Sequence, residues 1–245
     1  MIVPFALNGK TILVTGASSG IGKQTATAIA QRGGRLVISG RNPDRLKQTY
    51  DSLAGQNHIS VQADLTIPGS RQQIVDQAPE MNGLVNCAGQ IRLYPYKIYS
   101  EKRLIELLSI NYEAAVLLTT ELLNKKKIKD EASIIFVTSV ISIVGTETNG
   151  IYAGTKGALA GMMKCLALEL APRKIRVNCI SPAFVKTPML DRLSAQVDIS
   201  KFERQHPLGL GEADDVANSI IYLLSNESRW VTGTNLVVDG GYSAK

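Results

Sequence analysis

Thr11-Ile12-Leu13-Val14-Thr15-Gly16-Ala17-Ser18-Ser19-Gly20-Ile21-Gly22 is the stretch from which the fold can be read. Its first five residues are β-branched or apolar, the pattern of a strand covered on both faces. Glycines follow, and 24–31 then reads as a helix. Strand, tight turn and helix in that order open a βαβ unit. Glycines at such a turn let the backbone bend sharply and approach a pyrophosphate, whose charge is favoured by the unpaired N–H groups and positive dipole end of the helix. A glycine-rich turn alone is a weak signal, and its place after the first strand makes it a good one.

Further strands are predicted at 35–39, 59–62, 83–86, 133–138, 176–180 and 235–238, with helix-like stretches between them. Most are nearly continuous apolar runs, as parallel strands sandwiched by helices require. The pattern predicts an α/β fold: a Rossmann-like, doubly wound parallel sheet of about seven strands with helices on both faces. Right-handed crossovers would gather the strand C-terminal ends, and any ligand, along one edge. No repeat or Pro/Ser linker interrupts the alternation, so 1–245 is expected to be one domain. The least regular segment, 188–207, carries Met189, Leu190, Leu193, Val197, Ile199 and Phe202 among polar residues, a spacing that suits an amphipathic lid over a pocket.

Composition narrows the class. With 44% hydrophobic and 20% charged residues the chain is neither disordered nor fibrous. No apolar run approaches the roughly 18 to 20 residues needed to cross a bilayer, and 2–5 lacks a basic flank and a cleavage site, so a cytoplasmic protein is expected. Cys87, Cys165 and Cys179 are widely spaced and odd in number, which fits reduced thiols. His58 and His206 stand far apart in sequence with no neighbouring carboxylate pattern, so no metal site is expected. The net charge of +6 suits an anionic partner. The lysine run at 125–129 has no aromatic interleaving, so it reads as a solvated loop and no nucleic-acid partner is expected.

About twenty residues beyond the glycines, where dinucleotide folds read the adenosine ribose, stands Ser39-Gly40-Arg41-Asn42. A carboxylate there would hold a free 2′-hydroxyl and repel a 2′-phosphate. Arg41 instead can hydrogen-bond the phosphate and stack beside adenine, which favours NADP(H) and leaves NAD(H) open.

Tyr152 and Lys156 are one helical turn apart, so on a helix they share a face. Bringing a phenol with an ordinary pKa of about 10 to competence near neutrality requires about 4 kcal/mol. An ammonium about 4 Å away supplies that at an effective dielectric of about 20, and the charge of an oxidised nicotinamide would add to it. Ser139 ends the fifth predicted strand, at the sheet edge where the reactive ring should lie, and can hydrogen-bond a substrate oxygen. Asn111 falls in the helical stretch before that strand, where its amide could hold a water that passes protons on from Lys156.

The ordered set of Thr-Gly-x-x-x-Gly-x-Gly at 15–22, Asn86-Cys87-Ala88-Gly89, Asn111, Ser139, Tyr152, Lys156, the segment 178–187, and the endings Trp230-Val231-Thr232-Gly233 and Val238-Asp239-Gly240-Gly241 resembles the short-chain dehydrogenase/reductase family. The resemblance covers 10–242. It implies that Tyr152 is the general acid/base, that Lys156 lowers its pKa and holds the nicotinamide ribose, that Ser139 positions the carbonyl or alcohol, and that Asn111 organises a proton-relay water. It places the cofactor against Gly16, Ser18, Ser19, Gly20, Ile21 and Gly22, with Asp64 and Leu65 at the adenine and Asn86, Ala88 and Gly89 beside the ribose. Pro182, Ala183, Val185 and Thr187 would flank the nicotinamide.

Three positions depart from the commonest family pattern. Cys87 replaces an Asn that can tie adjacent loops, Ala183 replaces a Gly and predicts an ordinary φ there, and Ser19 stands where some NADP-dependent members place a base. Arg41 is left as the main cation for a 2′-phosphate. The reading is an NADP(H)-dependent oxidoreductase moving a hydride between its cofactor and a small-molecule carbonyl or secondary alcohol. One alternative is a 3-oxoacyl-[acyl-carrier-protein] reductase, with Lys125 to Lys129 and Arg173-Lys174 as a docking patch for acyl carrier protein. Another is a dinucleotide-binding scaffold without turnover. The resemblance further implies a homotetramer or homodimer, with helices around Asn111 and Tyr152 at one interface and the C-terminal strand near another.

Overall fold

A computed structural model describes residues 4–194 and 199–244. Seven strands form one sheet: β1 (Thr11–Thr15), β2 (Arg35–Gly40), β3 (Ile59–Gln62), β4 (Met81–Asn86), β5 (Ile128–Val137), β6 (Arg176–Pro182) and β7 (Asn235–Val238). The order is β3-β2-β1-β4-β5-β6-β7, and every neighbouring pair is parallel. This is the doubly wound arrangement, with the order reversing between β1 and β4.

Side chains alternate along each strand, so one strand feeds two cores. Leu13, Leu84, Ile134, Phe136 and Val177 bury against α3 (Pro68–Gln77), α5 (Ala114–Asn124) and α6 (Gly150–Leu170), meeting Ile74, Leu118, Leu122, Leu159 and Met163. The intervening Ile12, Val14, Val85, Ile135 and Ile180 face the other way, against Ala26 and Ile29 of α1 (Gly20–Gln31) and Val216 and Ile220 of α9 (Ala213–Leu224). Helices therefore cover both faces, which is why the strands read as unbroken apolar runs. The remaining helices are α2 (Pro43–Asp51), α4 (Glu101–Leu108), α7 (Pro188–Ser194) and α8 (Ile199–Glu203). Among the described residues no helix is long and apolar enough to cross a membrane.

One boundary corrects the sequence reading. The lysine run stays outside the sheet only to Lys127; β5 begins at Ile128, which pairs with Met81 and is fully buried. The register shifts before Gly83, and Glu131 takes a φ of 61°, so a bulge separates the two parts of the strand. Lys127 reaches inward to donate to the Ala78 carbonyl at 2.6 Å. His58 has a structural setting: Nδ1 accepts the Leu36 N–H at 3.1 Å and Nε2 donates to the Ala54 carbonyl at 2.8 Å.

Candidate active site

The C-terminal ends of the strands around the β1/β4 reversal open into one cleft of about 730 Å³, within the size range of cofactor and substrate sites. Gly16 and Gly20 hold φ of 68° and 54°, conformations that side chains disfavour. A Cβ on Gly16 would stand 2.9 Å from Ala88 Cα, and one on Gly22 would run into the Gly16 carbonyl oxygen. The turn is therefore a bare backbone cradle pressed against the loop after β4. Ser18, Ser19, Gly20, Ile21 and Gly22 line the cleft. The Ser19 side chain makes no capping hydrogen bond, and the first turn of α1 holds no acidic residue. The opening N–H groups of the helix are thus left for an anion, and a dinucleotide pyrophosphate fits what is present.

Arg41 lines the adenosine end, exposed, at the end of β2. Arg45, which the sequence reading missed, lines it as well. Asn42 caps α2 by accepting the Arg45 N–H at 2.9 Å, which fixes Arg45 one turn past Arg41; that spacing within a capped helix was its available signal. Leu65 lines the cleft and Asp64 does not. Burial pushes the Asp64 carboxyl up, but two hydrogen bonds from Thr66 and the charge of Arg41 outweigh it and hold the group below the ordinary carboxylate value.

Ala88 and Gly89 line the middle of the cleft, whereas Asn86 sits beneath it, donating to Thr119 Oγ1 at 3.2 Å. The tie that Cys87 cannot make is supplied by Thr15, whose Oγ1 accepts the N–H groups of both Cys87 and Ala88 at 3.1 Å. Pro182, Ala183, Val185 and Thr187 line the opposite wall. Ala183 keeps an ordinary φ, as its Cβ requires.

At the reacting end, α6 presents Tyr152 and Lys156 on its buried face. Lys156 Nζ donates to the Val137 carbonyl at 2.8 Å and sits 5.8 Å from the Tyr152 ring centroid. Ser139 stands two residues past the end of β5, beside the phenol; its Oγ accepts the Ile141 N–H at 3.3 Å. Asn111 lies in a π-helical turn, Ser109–Glu113, between α4 and α5. Its Oδ1 accepts the Gln90 N–H at 2.8 Å, and its Nδ2 donates to the Gln90 carbonyl at 2.9 Å and Thr155 Oγ1 at 3.3 Å. The amide therefore clamps the loop after β4 to α6, close to Lys156, since a Cβ on Gly89 would meet both Asn111 Oδ1 and Lys156 Nζ.

Burial pushes the Tyr152 phenol up to about 12; the hydrogen bond with Ser139 opposes the rise and Cys87 adds to it. Burial pushes Lys156 down to about 8 against the pull of the Cys87 and Cys179 thiols, which burial itself raises to about 12. The spacing argument had the ammonium, joined by the charge of an oxidised nicotinamide, acidify the phenol; in the chain alone burial is the largest influence on both groups and moves each toward its neutral form. The chain by itself holds Tyr152 as a protonated donor.

The segment expected to form a lid is seen in part. Leu190 and Leu193 of α7 line the cleft, and Phe202 of α8 stacks on Phe184 at 4.6 Å. Positions 195–198, including Val197, and the side chain of Ile199 lie outside the described residues. His206 and Tyr242 join Phe184 and Phe202 in one aromatic cluster; Phe202 and His206 share one segment and Phe184 and Tyr242 come from two others, so the cluster forms only in the folded chain. Tyr99 was missed too. Its hydroxyl accepts the Ile151 N–H at 3.1 Å, where the Asn149 side chain makes no cap, and so anchors the start of α6.

Comparison with known proteins agrees with this geometry. A family model described as enoyl-(acyl carrier protein) reductase matches residues 16–243. An NADP-dependent (R)-specific alcohol dehydrogenase of Lentilactobacillus kefiri is 34% identical, covering 98% of both chains. A 3-oxoacyl-[acyl-carrier-protein] reductase of Mus musculus is 35% identical over 95% of this chain and 97% of its own. The structure of a doubly substituted short-chain dehydrogenase/reductase of Serratia marcescens superposes with a TM-score of 0.90 at 27% identity, covering 97% of this chain and 99% of that one. The chain belongs to the short-chain dehydrogenase/reductase family and is a nicotinamide-dependent oxidoreductase acting on CH–OH groups.

Proposed function

We propose that the protein is a cytoplasmic, homo-oligomeric NADP(H)-dependent reductase of a small-molecule ketone or aldehyde, and catalyses the reverse alcohol oxidation at the same site. The observation that carries the reading is a cleft joining the glycine cradle to the buried Ser139, Tyr152 and Lys156, with no Asp or Glu lining it among the described residues. A carboxylate-free adenosine end bearing Arg41 and Arg45 suits a 2′-phosphate. Exposed Leu104 and Ile105 on α4, Leu117 on α5 and Trp230 before β7 supply apolar surface for subunit contacts. The free state of all three cysteines accords with a reducing compartment.

Bound NADPH would supply the hydride that the carbonyl carbon receives. Tyr152 gives its phenolic proton to the carbonyl oxygen as negative charge develops there, and Ser139 donates a hydrogen bond to the same oxygen. Alcohol and NADP⁺ are left. Lys156, pushed to about 8, titrates near neutrality and can restore the proton to Tyr152. Asn111 keeps the Gln90 loop and α6 in register, and the second lone pair of its Oδ1 can hold a relay water. The test is NADPH consumption with a panel of carbonyl compounds. Tyr152→Phe should lower kcat about 10²- to 10⁴-fold with cofactor binding retained; an unchanged rate would remove Tyr152 as the donor.

A carrier-protein thioester is the second reading, favoured by the name of the murine relative. Half of the cations in its suggested docking patch are engaged within the chain, Lys127 among them through the Ala78 carbonyl. Arg173 pairs with Asp130 at 2.8 Å and Lys174 with Glu131 at 3.1 Å, leaving Lys125, Lys126 and Lys129 without an ion pair among the described residues. Reversing Arg173 and Lys174 to Glu without effect on carrier-substrate kinetics would dismiss that patch.

A further inference from the structure

The cleft carries more positive charge than its adenosine end uses. Arg41 and Arg45 stand at that end, Lys156 is committed to Val137 and Tyr152, and two more cations, Arg92 and Arg192, also line the cleft. Arg92 follows Ile91, which packs on the cluster of Val140, Ile141 and Tyr152. Arg192 lies on α7 between Leu190 and Leu193, which line the cleft with it. Both arginines are exposed, and neither makes an ion pair among the described residues. Among the described residues no lining carboxylate answers them.

Apolar walls flanked by unpaired guanidinium groups define a ligand chemistry. Ile91, Ile141, Phe184, Leu190 and Leu193 offer surface to a hydrocarbon segment, and a planar guanidinium fork matches a carboxylate or phosphate better than any neutral group. We propose that the physiological carbonyl substrate bears an anionic group, carboxylate or phosphate, joined to the reacting carbon by an apolar segment and held by Arg92 and Arg192. This rests on the reductase reading and narrows its substrate class. A neutral alcohol or ketone would leave both guanidinium groups to water alone.

Three probes separate the cases: a medium-chain 3-oxo acid, its methyl ester and the matching 3-oxoacyl coenzyme A thioester, each assayed with NADPH. The proposal expects a charged probe to exceed the ester at least about tenfold in kcat/KM, with Arg92→Gln and Arg192→Gln collapsing that ratio through KM of the charged probe. A gain for the acid assigns the anion as a carboxylate, and a gain confined to the thioester assigns it as phosphate. An ester as good as both charged probes would overturn the proposal. So would variants that raise KM for NADPH and leave the ratio intact, because the arginines would then serve the cofactor. Should no probe be reduced while neutral ketones outside this set are, the substrate class falls and the reductase reading stands; should no carbonyl be reduced at all, the reductase reading falls first. Protection from heat by the 3-oxo acid gives a readout independent of turnover, and its absence in wild type would likewise count against the proposal.

Discussion

The glycine cradle and the reacting end occupy one cleft and are made of different materials. At the cradle, backbone does the binding: Gly16 and Gly20 supply the positive φ, α1 supplies N–H groups, and among the described residues the charged side chains are the exposed Arg41 and Arg45. At the reacting end nearly everything depends on side chains removed from water. Tyr152 is 8% exposed and Lys156 5%, and burial moves both pKa values away from their ordinary positions. Local conformation therefore sets the first region, and desolvation sets the second. The first should break through steric change and the second through change of charge state.

The largest contrast is expected from Gly16→Ala. The new Cβ meets Ala88 backbone at 2.9 Å in a residue already at positive φ, with no flexible atom to yield. A cost of about 2–4 kcal/mol in stability follows, seen as a lowered Tm, together with at least a tenfold loss of NADPH affinity by fluorescence titration. Next, Arg41→Glu should raise KM for NADPH about 10- to 100-fold through loss of charge-assisted hydrogen bonds, while KM for NADH changes far less. Equal losses for both cofactors would reassign Arg41 to general structure.

Lys156 sharpens the other side of the comparison. Its pKa falls from 10.5 to about 8 in the folded chain, so the unfolded chain binds the extra proton between those values. Stability should then rise with pH across that window, the penalty for burying the ammonium being complete below about 8 and gone above 10.5. Lys156→Met should flatten this part of the Tm-against-pH curve relative to wild type; an unaltered slope would show that Lys156 is better solvated than its surroundings suggest. The smallest effect is expected from Tyr99→Phe. Losing the acceptor of the Ile151 N–H costs about 1 kcal/mol and should lower kcat a few-fold with KM for NADPH unmoved, because α6 shifts under Tyr152 and the cradle does not.

Much of the architecture was readable in order. Every strand from β1 to β7 fell where an apolar run stood, because a sheet sandwiched between helices leaves no polar face to confuse the pattern. The early start of β5 escaped notice because Lys129, Asp130 and Glu131 are exposed and a bulge breaks the alternation. The cleft-lining residues of the glycine turn, Tyr152, Lys156 and Ser139 were nameable from their spacing, and the 182–187 segment from the family resemblance. Arg192 and Tyr99 were not, since an arginine or tyrosine of this kind looks the same in sequence whether it faces a cleft or bulk water.

By itself the sequence determined the alternation of strand and helix, the place of the tight turn and the one-turn spacing of tyrosine and lysine, all of which depend on residues near one another in the chain. Tertiary structure alone decided that burial moves the Tyr152 phenol upward, that Asn111 bonds Gln90 and Thr155, that Thr15 ties the loop after β4, and that no carboxylate among the described residues lines the cleft. The physical reason is range. Backbone conformation is set within a few residues, whereas the cost of a buried charge and the identity of its neighbours depend on segments that meet only when the sheet is assembled.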